Sequence, residues 1–286
     1  MAPIRKYCPE LRRFAISLHF RSVSAYNFVK KEFNTILPHP RTLGKWYSNT
    51  NAEPGFTIEA FNTLALKCKN TLNPVYSALV VDEMGIRQHV EWDGTNYHGY
   101  VNVGDSICNE SMEKAKESLV FLVVAINEAW KIPIGYFLIN HINSSQKAEL
   151  VNRYIDLLSK TGVTIVSLTF DGCTTNMNMV KILGCVSDVD KLNTSFKVDG
   201  VAKTISIIPD PAHMVKLIRN AFGEKRQFID INGGIIDFEY INKLLSLQED
   251  EGCHLANKLK KHHGFYSRQK MKVKLATQLL SRSVSE

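Results

Sequence analysis

Two aspartates stand in sequence contexts that predict chemistry. Asp82 follows the apolar run 78–81, and Asp171 follows the apolar run 163–170 at its carboxyl end. Strand interiors disfavour aspartate, and no helix follows Asp82 for it to cap, so a function is favoured there. For Asp171 two interpretations stay open: it caps the next helix, or it is a ligand in the crevice at the carboxyl ends of strands.

Paired carboxylates on neighbouring strands predict a divalent cation. If the two strands are adjacent in the sheet, Asp82 and Asp171 converge, and no lysine close in the sequence neutralises them. Hard oxygen ligands without a His or Cys cluster select Mg²⁺ or Mn²⁺ over zinc. Two such ions, about 3.5–4 Å apart, clamp the attacking and leaving oxygens of an in-line phosphoryl displacement. The chemistry indicated is polynucleotide cleavage or transfer.

The step Asp210-Pro211-Ala212-His213 supports two interpretations. Asp210 and Pro211 are typical of an N-cap and first helical turn, which leaves His213 as a packing residue. Alternatively, His213 stands beside the acidic site and contacts phosphate or braces the metal ligands. Both stay open at the level of the sequence.

The segments around these residues predict a mixed sheet covered by helices. Short runs rich in Val, Ile, Tyr and Phe indicate antiparallel strands, namely 77–84, 97–103, 119–127 and 132–139. Strands and helices then alternate, with helices at 145–161, 174–183 and 211–222 and strands at 163–170 and 204–208. Antiparallel strands followed by β/α alternation are typical of an α/β domain. Beyond Gly233-Gly234 the pattern is helical again.

The first 70 residues predict short helices in a helix-turn-helix arrangement. Helices are expected from Pro9, after a Ser24 cap, over 41–49 and over 57–69. Arg41 and Lys45 then point outward. The expected inward residues are Leu11, Phe14, Ala15, Leu18, Ala25, Phe28, Val29, Leu43, Trp46 and Tyr47. Such a unit suits a DNA groove, but it is also common as a structural module.

The charge is distributed unevenly along the 286 residues. The formal net charge is +7, made of +7 over 1–70, −3 over 71–222 and +3 over 223–286. This layout suggests ends that hold a polyanion and a middle that gathers cations. Within the last segment, residues 258–274 carry basic side chains that alternate with apolar ones and include no acid, so part of the run can face phosphates. No P-loop motif is present, and a nucleotide would need another kind of pocket.

Cysteines and hydropathy exclude several classes of protein. The six cysteines contain no C-x-x-C pair, so neither a zinc finger nor a disulfide scaffold is supported. The most apolar stretch, 119–126, is far shorter than the roughly 20 residues that span a bilayer, and no secretory signal is visible. We expect a soluble intracellular protein with no membrane contact.

Ordered motifs along nearly the whole chain resemble those of the P-element transposases. The helix-turn-helix motif, its exit, the two aspartate strands, the Asp-Pro-Ala-His step and a basic segment occur in the family's order. They are Leu37-Pro38-His39-Pro40, Lys45-Trp46-Tyr47-Ser48, Glu53-Pro54-Gly55-Phe56, Val81-Asp82-Glu83-Met84, Thr169-Phe170-Asp171-Gly172, Asp210-Pro211-Ala212-His213 and 270–278.

The resemblance implies an RNase H-like mixed sheet with flanking helices, interrupted by a helical insertion that binds GTP. The implied domains are a helix-turn-helix over 1–72, the first part of the catalytic domain over 73–232, and the beginning of the insertion over 233–286. The implied activity is Mg²⁺-dependent hydrolysis at transposon ends, followed by attack of the freed 3′-hydroxyl on target DNA. A homo-oligomer on DNA and a nuclear location are implied as well.

The resemblance also implies roles for particular residues. Asp82 and Asp171 take the places of the first two metal-binding carboxylates, and Lys272, Val273 and Ser281 line the GTP pocket. Two departures leave alternatives open. Cys8 lacks the partner that a THAP finger requires, and the third carboxylate is expected beyond residue 286. The chain is therefore either part of a DNA transposase or a catalytically inactive, element-derived DNA-binding protein that acts as a repressor or accessory factor; an unrelated RNase H-like nuclease is a third interpretation.

Overall fold

The computed structural model describes residues 7–33, 36–47, 53–104, 112–253 and 255–285. It forms two compact units, Met1–Glu53 and Pro54–Glu286. The predicted helix at 57–69 belongs to the second unit, because its buried residues Ala60 and Leu64 join the core under the sheet.

Three helices build the first unit: α1 (Pro9–Arg21), α2 (Val23–Glu32) and α3 (Pro40–Tyr47). Their core is small and consists of Ala15, Tyr26, Leu37 and Leu43. The Tyr26 hydroxyl donates a hydrogen bond to the Pro38 carbonyl, which ties α2 to the segment before α3.

The inward faces expected for the first two helices were wrong in part. Phe14 is 52% exposed and Phe28 is 64% exposed, whereas Tyr26 is fully buried. Ser22, not Ser24, is the N-cap of α2, and its hydroxyl accepts a hydrogen bond from Ala25 N at 3.1 Å. The different N-cap changes where α2 begins but not which residues share a face. Tyr26 is buried because its side chain reaches the segment before α3, where its hydroxyl donates to the Pro38 carbonyl.

The second unit contains the remaining elements. In chain order they are β1 (Gly55–Phe56), α4 (Ile58–Lys69), β2 (Val75–Gly85), β3 (Glu91–Trp92), β4 (Tyr97–His98), β5 (Glu117–Ala125), β6 (Lys131–Ile139), α5 (Ser144–Ser159), β7 (Val163–Phe170), α6 (Thr174–Ile182), β8 (Ser195–Phe196), β9 (Ile205–Pro209), α7 (Pro211–Lys225), β10 (Gln227–Ile229), β11 (Ile235–Asp237), α8 (Glu239–Asp250), α9 (Val273–Leu279) and α10 (Arg282–Ser285).

A seven-stranded mixed sheet organises this unit, in the order β1-β6-β5-β2-β7-β9-β8. The first four strands in this order, β1, β6, β5 and β2, pair antiparallel with their neighbours. Strands β2, β7 and β9 are parallel, and β8 pairs antiparallel with β9. This is the predicted α/β fold, with antiparallel strands first and β/α alternation afterwards. Strand β7 has the bounds that the sequence predicts.

The strand predicted over 97–103 was wrong. Only β4 forms, and it pairs with β3 in a separate two-stranded hairpin. Gly99 ends the strand because its φ is +109°, and a Cβ there would lie 1.9 Å from the His89 carbonyl oxygen. Two isolated bridges, at Tyr100 and Asn102, replace regular pairing beyond it.

The core of the sheet is closed by α5, whose first turn carries a capping box between Asn143 and Gln146. The buried side of α5 includes Tyr154, whose ring stacks on Phe121 of β5 with centroids 4.0 Å apart. Burial of these aromatic rings fixes α5 against β5, the strand that pairs with β2.

Past α7 the chain forms a hairpin before it becomes helical, contrary to the helical pattern expected after Gly233-Gly234. Gly233, with φ +83°, makes the turn that lets β10 and β11 pair.

A second core gathers around Phe222, Phe238 and Leu259. Leu280 follows α9 and is 43% exposed. In the described ranges, no helix combines the length and the apolar character needed to span a membrane.

Candidate active site

Three aspartates lie at one edge of the sheet, where the pairing of three adjacent parallel strands ends. Asp82 lies within β2, and Asp171 and Asp210 directly follow β7 and β9. Val80 of β2 lies opposite Thr169 of β7, and Phe170 of β7 lies opposite Pro209 of β9. Just beyond these pairs, the three aspartates converge on a cavity of about 200 Å³, lined by Val80, Val81, Asp82, Thr169, Phe170, Asp171 and Asp210. The predicted adjacency of the Asp82 and Asp171 strands is confirmed.

Asp82 is held in a setting that disfavours its charge. The side chain is exposed towards the cavity, yet the surrounding protein removes enough water to raise its pKa, and the negative charges of Asp171, Glu83 and Asp210 raise it further. One hydrogen bond opposes the rise, from Glu83 N to Oδ1 at 3.0 Å. A carboxylate of this kind gains from a bound cation.

Asp171 is held in the opposite way. Partial burial acts to raise its pKa, but hydrogen bonds from Cys173 and Asn176 and the nearby imidazole of His213 outweigh burial, so the pKa lies below its ordinary value. Both bonds reach Oδ1, from Cys173 N at 3.1 Å and from Asn176 Nδ2 at 2.7 Å. Cys173, not Asp171, is the N-cap residue of α6, and neither of these two bonds uses the second carboxylate oxygen of Asp171.

Asp210 is the N-cap of α7, as the sequence predicts. Its Oδ1 accepts from Ala212 N and its Oδ2 accepts from His213 N, both at 3.1 Å. The same carboxylate also lines the cavity of the other two aspartates, which was not predicted from the sequence. The available signal was its position, since it directly follows β9 just as Asp171 directly follows β7.

His213 lies beside the acidic edge. A Cβ built on Gly172 would come within 3.5 Å of its Cδ2 atom, and its imidazole acts on the pKa of Asp171. The two interpretations of the Asp-Pro-Ala-His step are therefore compatible, because the step starts a helix and also brings His213 next to Asp171. Contact of His213 with a phosphate stays a prediction.

A buried lysine that was not predicted from the sequence lies behind the site. Lys147, in the first turn of α5, is 2% exposed, forms an ion pair with Glu83 and donates a 2.8 Å hydrogen bond to Asn176 Oδ1. It is distant in the sequence from both aspartates. Its place on the apolar stripe of α5, one turn before Leu150 and Val151, was the signal that could have found it.

The donor set of this edge fits a hard divalent cation. Asp82 and Asp171 offer carboxylate oxygens to one cavity, and such oxygens are the ligands that Mg²⁺ and Mn²⁺ prefer. Within the described ranges, no cluster of three or more His, Cys, Asp or Glu residues is close enough to hold a metal ion. Asp82 and Asp171 could hold such an ion with two carboxylates, since Mg²⁺ ordinarily completes its shell with water and substrate oxygens.

Arg41 and Lys45 lie one turn apart on α3, and both are exposed. Leu43 on the same helix is fully buried, and Trp46 packs against Arg12, whose guanidinium lies 5.0 Å from the ring centroid. The outward placement predicted for the two basic residues is confirmed, while Tyr47, expected inward, is 44% exposed.

Lys272, Val273 and Ser281 bracket α9. Lys272 is its N-cap residue, Val273 its first residue, and Ser281 follows its end, where the hydroxyl donates to the Gln278 carbonyl at 2.7 Å. The seven-residue helix between Lys272 and Ser281 is about 10 Å long, at 1.5 Å per residue. Two cavities of this region, lined by residues between Asn242 and Phe265, include none of the three.

Three family models match consecutive parts of the chain. Residues 2–46 match the transposable element P transposase-like HTH domain, residues 52–184 the TNP-like RNase H N-terminal domain, and residues 212–286 the TNP-like GTP-binding insertion domain. The chain belongs to the P-element transposase family. The matched order is that of the helix-turn-helix unit, the acidic sheet and the C-terminal helical part.

Two curated members of this family align with nearly the whole chain. The DNA transposase THAP9 of Homo sapiens is 30% identical over 98% of the chain, and the transposable element P transposase of Drosophila melanogaster is 26% identical over 95%. The chain spans about a third of the length of each, 31% and 33%.

A solved structure supports the fold. The Drosophila P element transposase strand transfer complex superposes with a TM-score of 0.78 at 23% identity, covering 99% of this chain and 59% of that one. The similarity shows a shared fold, which is the RNase H-like mixed sheet preceded by helices.

Proposed function

We propose that the chain is the DNA-binding and cation-binding part of a transposase that cleaves and transfers DNA strands. The single observation that supports the proposal is the convergence of Asp82 and Asp171 on one cavity at the carboxyl edge of adjacent parallel strands. The ends of parallel strands are where open α/β sheets bind ligands. Membership of the P-element transposase family supports the reaction class.

Asp82 and Asp171 would hold Mg²⁺ or Mn²⁺. When bound, the cation supplies charge stabilisation to the oxygens of a phosphodiester and lowers the pKa of bound water. The chain's own residues prepare the site in two ways. The hydrogen bonds from Cys173 and Asn176 hold the Asp171 carboxylate in place and stabilise its ionised form, and the cavity leaves the Asp82 carboxylate accessible.

His213 would act on the substrate side of the site. Its ring lies beside Gly172, and the N-cap bond to Asp210 fixes the first turn of the helix that carries it. A protonated imidazole there would bind a phosphate oxygen of the strand. A neutral imidazole would instead orient the Asp171 carboxylate, which is proposed to bind the cation, without adding a positive charge to the site.

DNA is the proposed partner, held first by the helix-turn-helix unit. Arg41 and Lys45 on the exposed side of α3 would contact phosphates or base edges, as the last helix of such a unit commonly does. We propose in addition that the protein binds DNA as a homo-oligomer and is located in the nucleus. Both proposals follow from the proposed substrate, which is the DNA at the ends of a transposon.

GTP binding by the C-terminal part is also proposed, because residues 212–286 match a GTP-binding insertion domain. Lys272, Val273 and Ser281 are proposed to contact the nucleotide, although they share neither of the two cavities described in this region. No step of the proposed reaction depends on GTP. Lys272→Ala should weaken binding of a fluorescent GTP analogue, and Lys225→Ala serves as the exposed control.

Titration of Mn²⁺ into the metal-free chain, followed by electron paramagnetic resonance, tests the proposal. We expect Asp82→Asn and Asp171→Asn each to weaken Mn²⁺ binding at least tenfold, while Asp93→Asn, in the β3–β4 turn, leaves it unchanged. Unchanged binding in both site variants would refute the cation site. Duplex binding that persists without any Mn²⁺ site would favour the alternative, an inactive element-derived DNA-binding protein.

A further inference from the structure

Lys147 is a buried cation in a place that disfavours one. It lies in the first turn of α5, where the helix dipole repels positive charge, and it is 2% exposed. Its neighbours along the same side of the helix are the buried residues Leu150, Val151 and Tyr154. An apolar side chain would pack here without the cost of removing an ammonium group from water. Packing alone therefore does not account for a lysine at this position.

The ammonium group fixes the orientation of one amide. Lys147 Nζ donates to Asn176 Oδ1 at 2.8 Å, and Asn176 is itself buried, at 4% exposed. A carboxamide has one accepting end and one donating end. Because Lys147 holds the oxygen, the nitrogen must point the other way, where it donates to Asp171 Oδ1 at 2.7 Å.

The same ammonium group anchors the residue next to Asp82. Lys147 forms an ion pair with Glu83, whose side chain lies on the face of β2 opposite to that of Asp82. The backbone N–H of Glu83 donates to Asp82 Oδ1 at 3.0 Å. One side chain on α5 is therefore connected, through one residue each, to both carboxylates of the cavity.

We propose that Lys147 is a positioning residue for the cation site. It orients Asn176 towards Asp171 and anchors Glu83 beside Asp82, so that both carboxylates are in place before a cation arrives. This proposal rests on the proposed function. The ammonium group of Lys147 contacts Glu83 and Asn176 and acts through them. Lys147 is therefore not a catalytic residue.

The test is Mn²⁺ binding to the full chain with Lys147→Met. Loss of a direct outer partner of a metal ligand typically weakens metal binding about 10- to 100-fold. Because Lys147 acts through such partners, we expect a loss of about tenfold, at the lower end of that range. The exposed Lys160→Met, which removes the partner of Asp156 at the other end of α5, is the control and should bind Mn²⁺ like the parent chain.

A double variant separates positioning from stability, since Lys147→Met alone leaves the Glu83 charge without its partner. In Glu83→Gln/Lys147→Met the two paired charges are removed together, so folding should recover. We expect Mn²⁺ binding to stay weakened. We also expect the Asn176 side-chain NMR signal, identified by its loss in Asn176→Leu, to shift from its parent position. Parent-like Mn²⁺ affinity or an unshifted Asn176 signal in the double variant would overturn the proposal.

The aspartate variants distinguish the two levels of proposal. If Asp82→Asn and Asp171→Asn abolish Mn²⁺ binding but the lysine variants do not, only the role of Lys147 fails. If the aspartate variants bind Mn²⁺ normally, the cation site itself is wrong.

Discussion

Asn176 donates a 2.7 Å hydrogen bond from Nδ2 to Oδ1 of Asp171. This contact joins the first turns of α6 to the end of β7, and it stabilises the ionised carboxylate. Asp82, on the adjacent strand, has no such side-chain donor described and sits among other acids. The two carboxylates of one cavity are thus held with pKa values displaced in opposite directions. A bound cation would compensate the negative charge of Asp82, whose ionised form is the less favourable of the two.

Asp82→Asn should stabilise the metal-free chain at neutral pH. The folded-state pKa of Asp82 is raised above its ordinary value of 3.8, so its ionisation opposes folding at any pH above that raised pKa. The gain in melting temperature should shrink as the pH falls towards 3.8 and the wild-type carboxyl group takes up its proton. Thermal unfolding in EDTA at a series of pH values measures it, and a lower melting temperature at pH 7 would contradict it.

Asp171→Asn should have the opposite effect on stability. Because the folded-state pKa of Asp171 is lowered, its ionised form stabilises the fold above 3.8, and this contribution is lost as the pH falls through the lowered pKa. The variant should melt below the parent chain at pH 7, with the difference narrowing in acid. The same EDTA series measures it, and a difference that does not change with pH would show that charge is not the cause.

Gly135→Ala should destabilise the sheet. A Cβ at this position of β6 would lie 2.0 Å from the Tyr154 hydroxyl oxygen and 2.3 Å from the Gly55 carbonyl oxygen, which is backbone and cannot swing away. Overpacking of a core typically costs about 1–3 kcal/mol. Urea unfolding of the variant measures the loss. Gly85→Ala, where nothing lies within 4 Å and φ is not positive, should stay within about 0.5 kcal/mol of the parent.

Replacing Arg41 and Lys45 together by alanine should weaken duplex binding. For each phosphate that the variant no longer neutralises, the plot of log affinity against log salt should become shallower by about 0.9, so the slope of the double variant should fall by nearly 2. Fluorescence anisotropy with two unrelated duplexes at several salt concentrations measures this. Lys160→Ala, on α5, is the basic control. An unchanged slope would assign the helix-turn-helix unit a structural role.

Arg219→Met should loosen the segment before α9. Arg219 is 1% exposed and donates from one nitrogen to the carbonyls of Gln269 at 2.8 Å and Lys270 at 3.2 Å. Hydrogen bonds of a charged donor contribute about 1.5–3 kcal/mol, so we expect a loss of unfolding free energy in that range. Hydrogen exchange should accelerate first in residues 266–272. The exposed Lys225→Met is the control, and equal exchange in both variants would contradict the assignment.

The sequence alone predicted the elements that carry a strong local signal. Strand β7, the helix after Asp210 and the mixed α/β order follow from apolar periodicity, Pro and capping residues, all of which act over a few residues. The pair Asp82 and Asp171 was found for the same reason, since an acid at the end of an apolar run conflicts with its neighbours. Where the local signal was ambiguous, as over 97–103, the prediction failed at Gly99.

Other features depended on the tertiary structure. The choice of Tyr26 over Phe28 as a core residue, the convergence of Asp210 on the aspartate cavity, and the contacts of Lys147 with Glu83 and Asn176 all join residues from different elements. The sequence by itself determined which two acids, Asp82 and Asp171, follow apolar runs. Only the packing of α5 and α6 against the sheet decided which side chains hold those acids, because a contact across elements depends on strand order and helix placement and not on spacing along the chain.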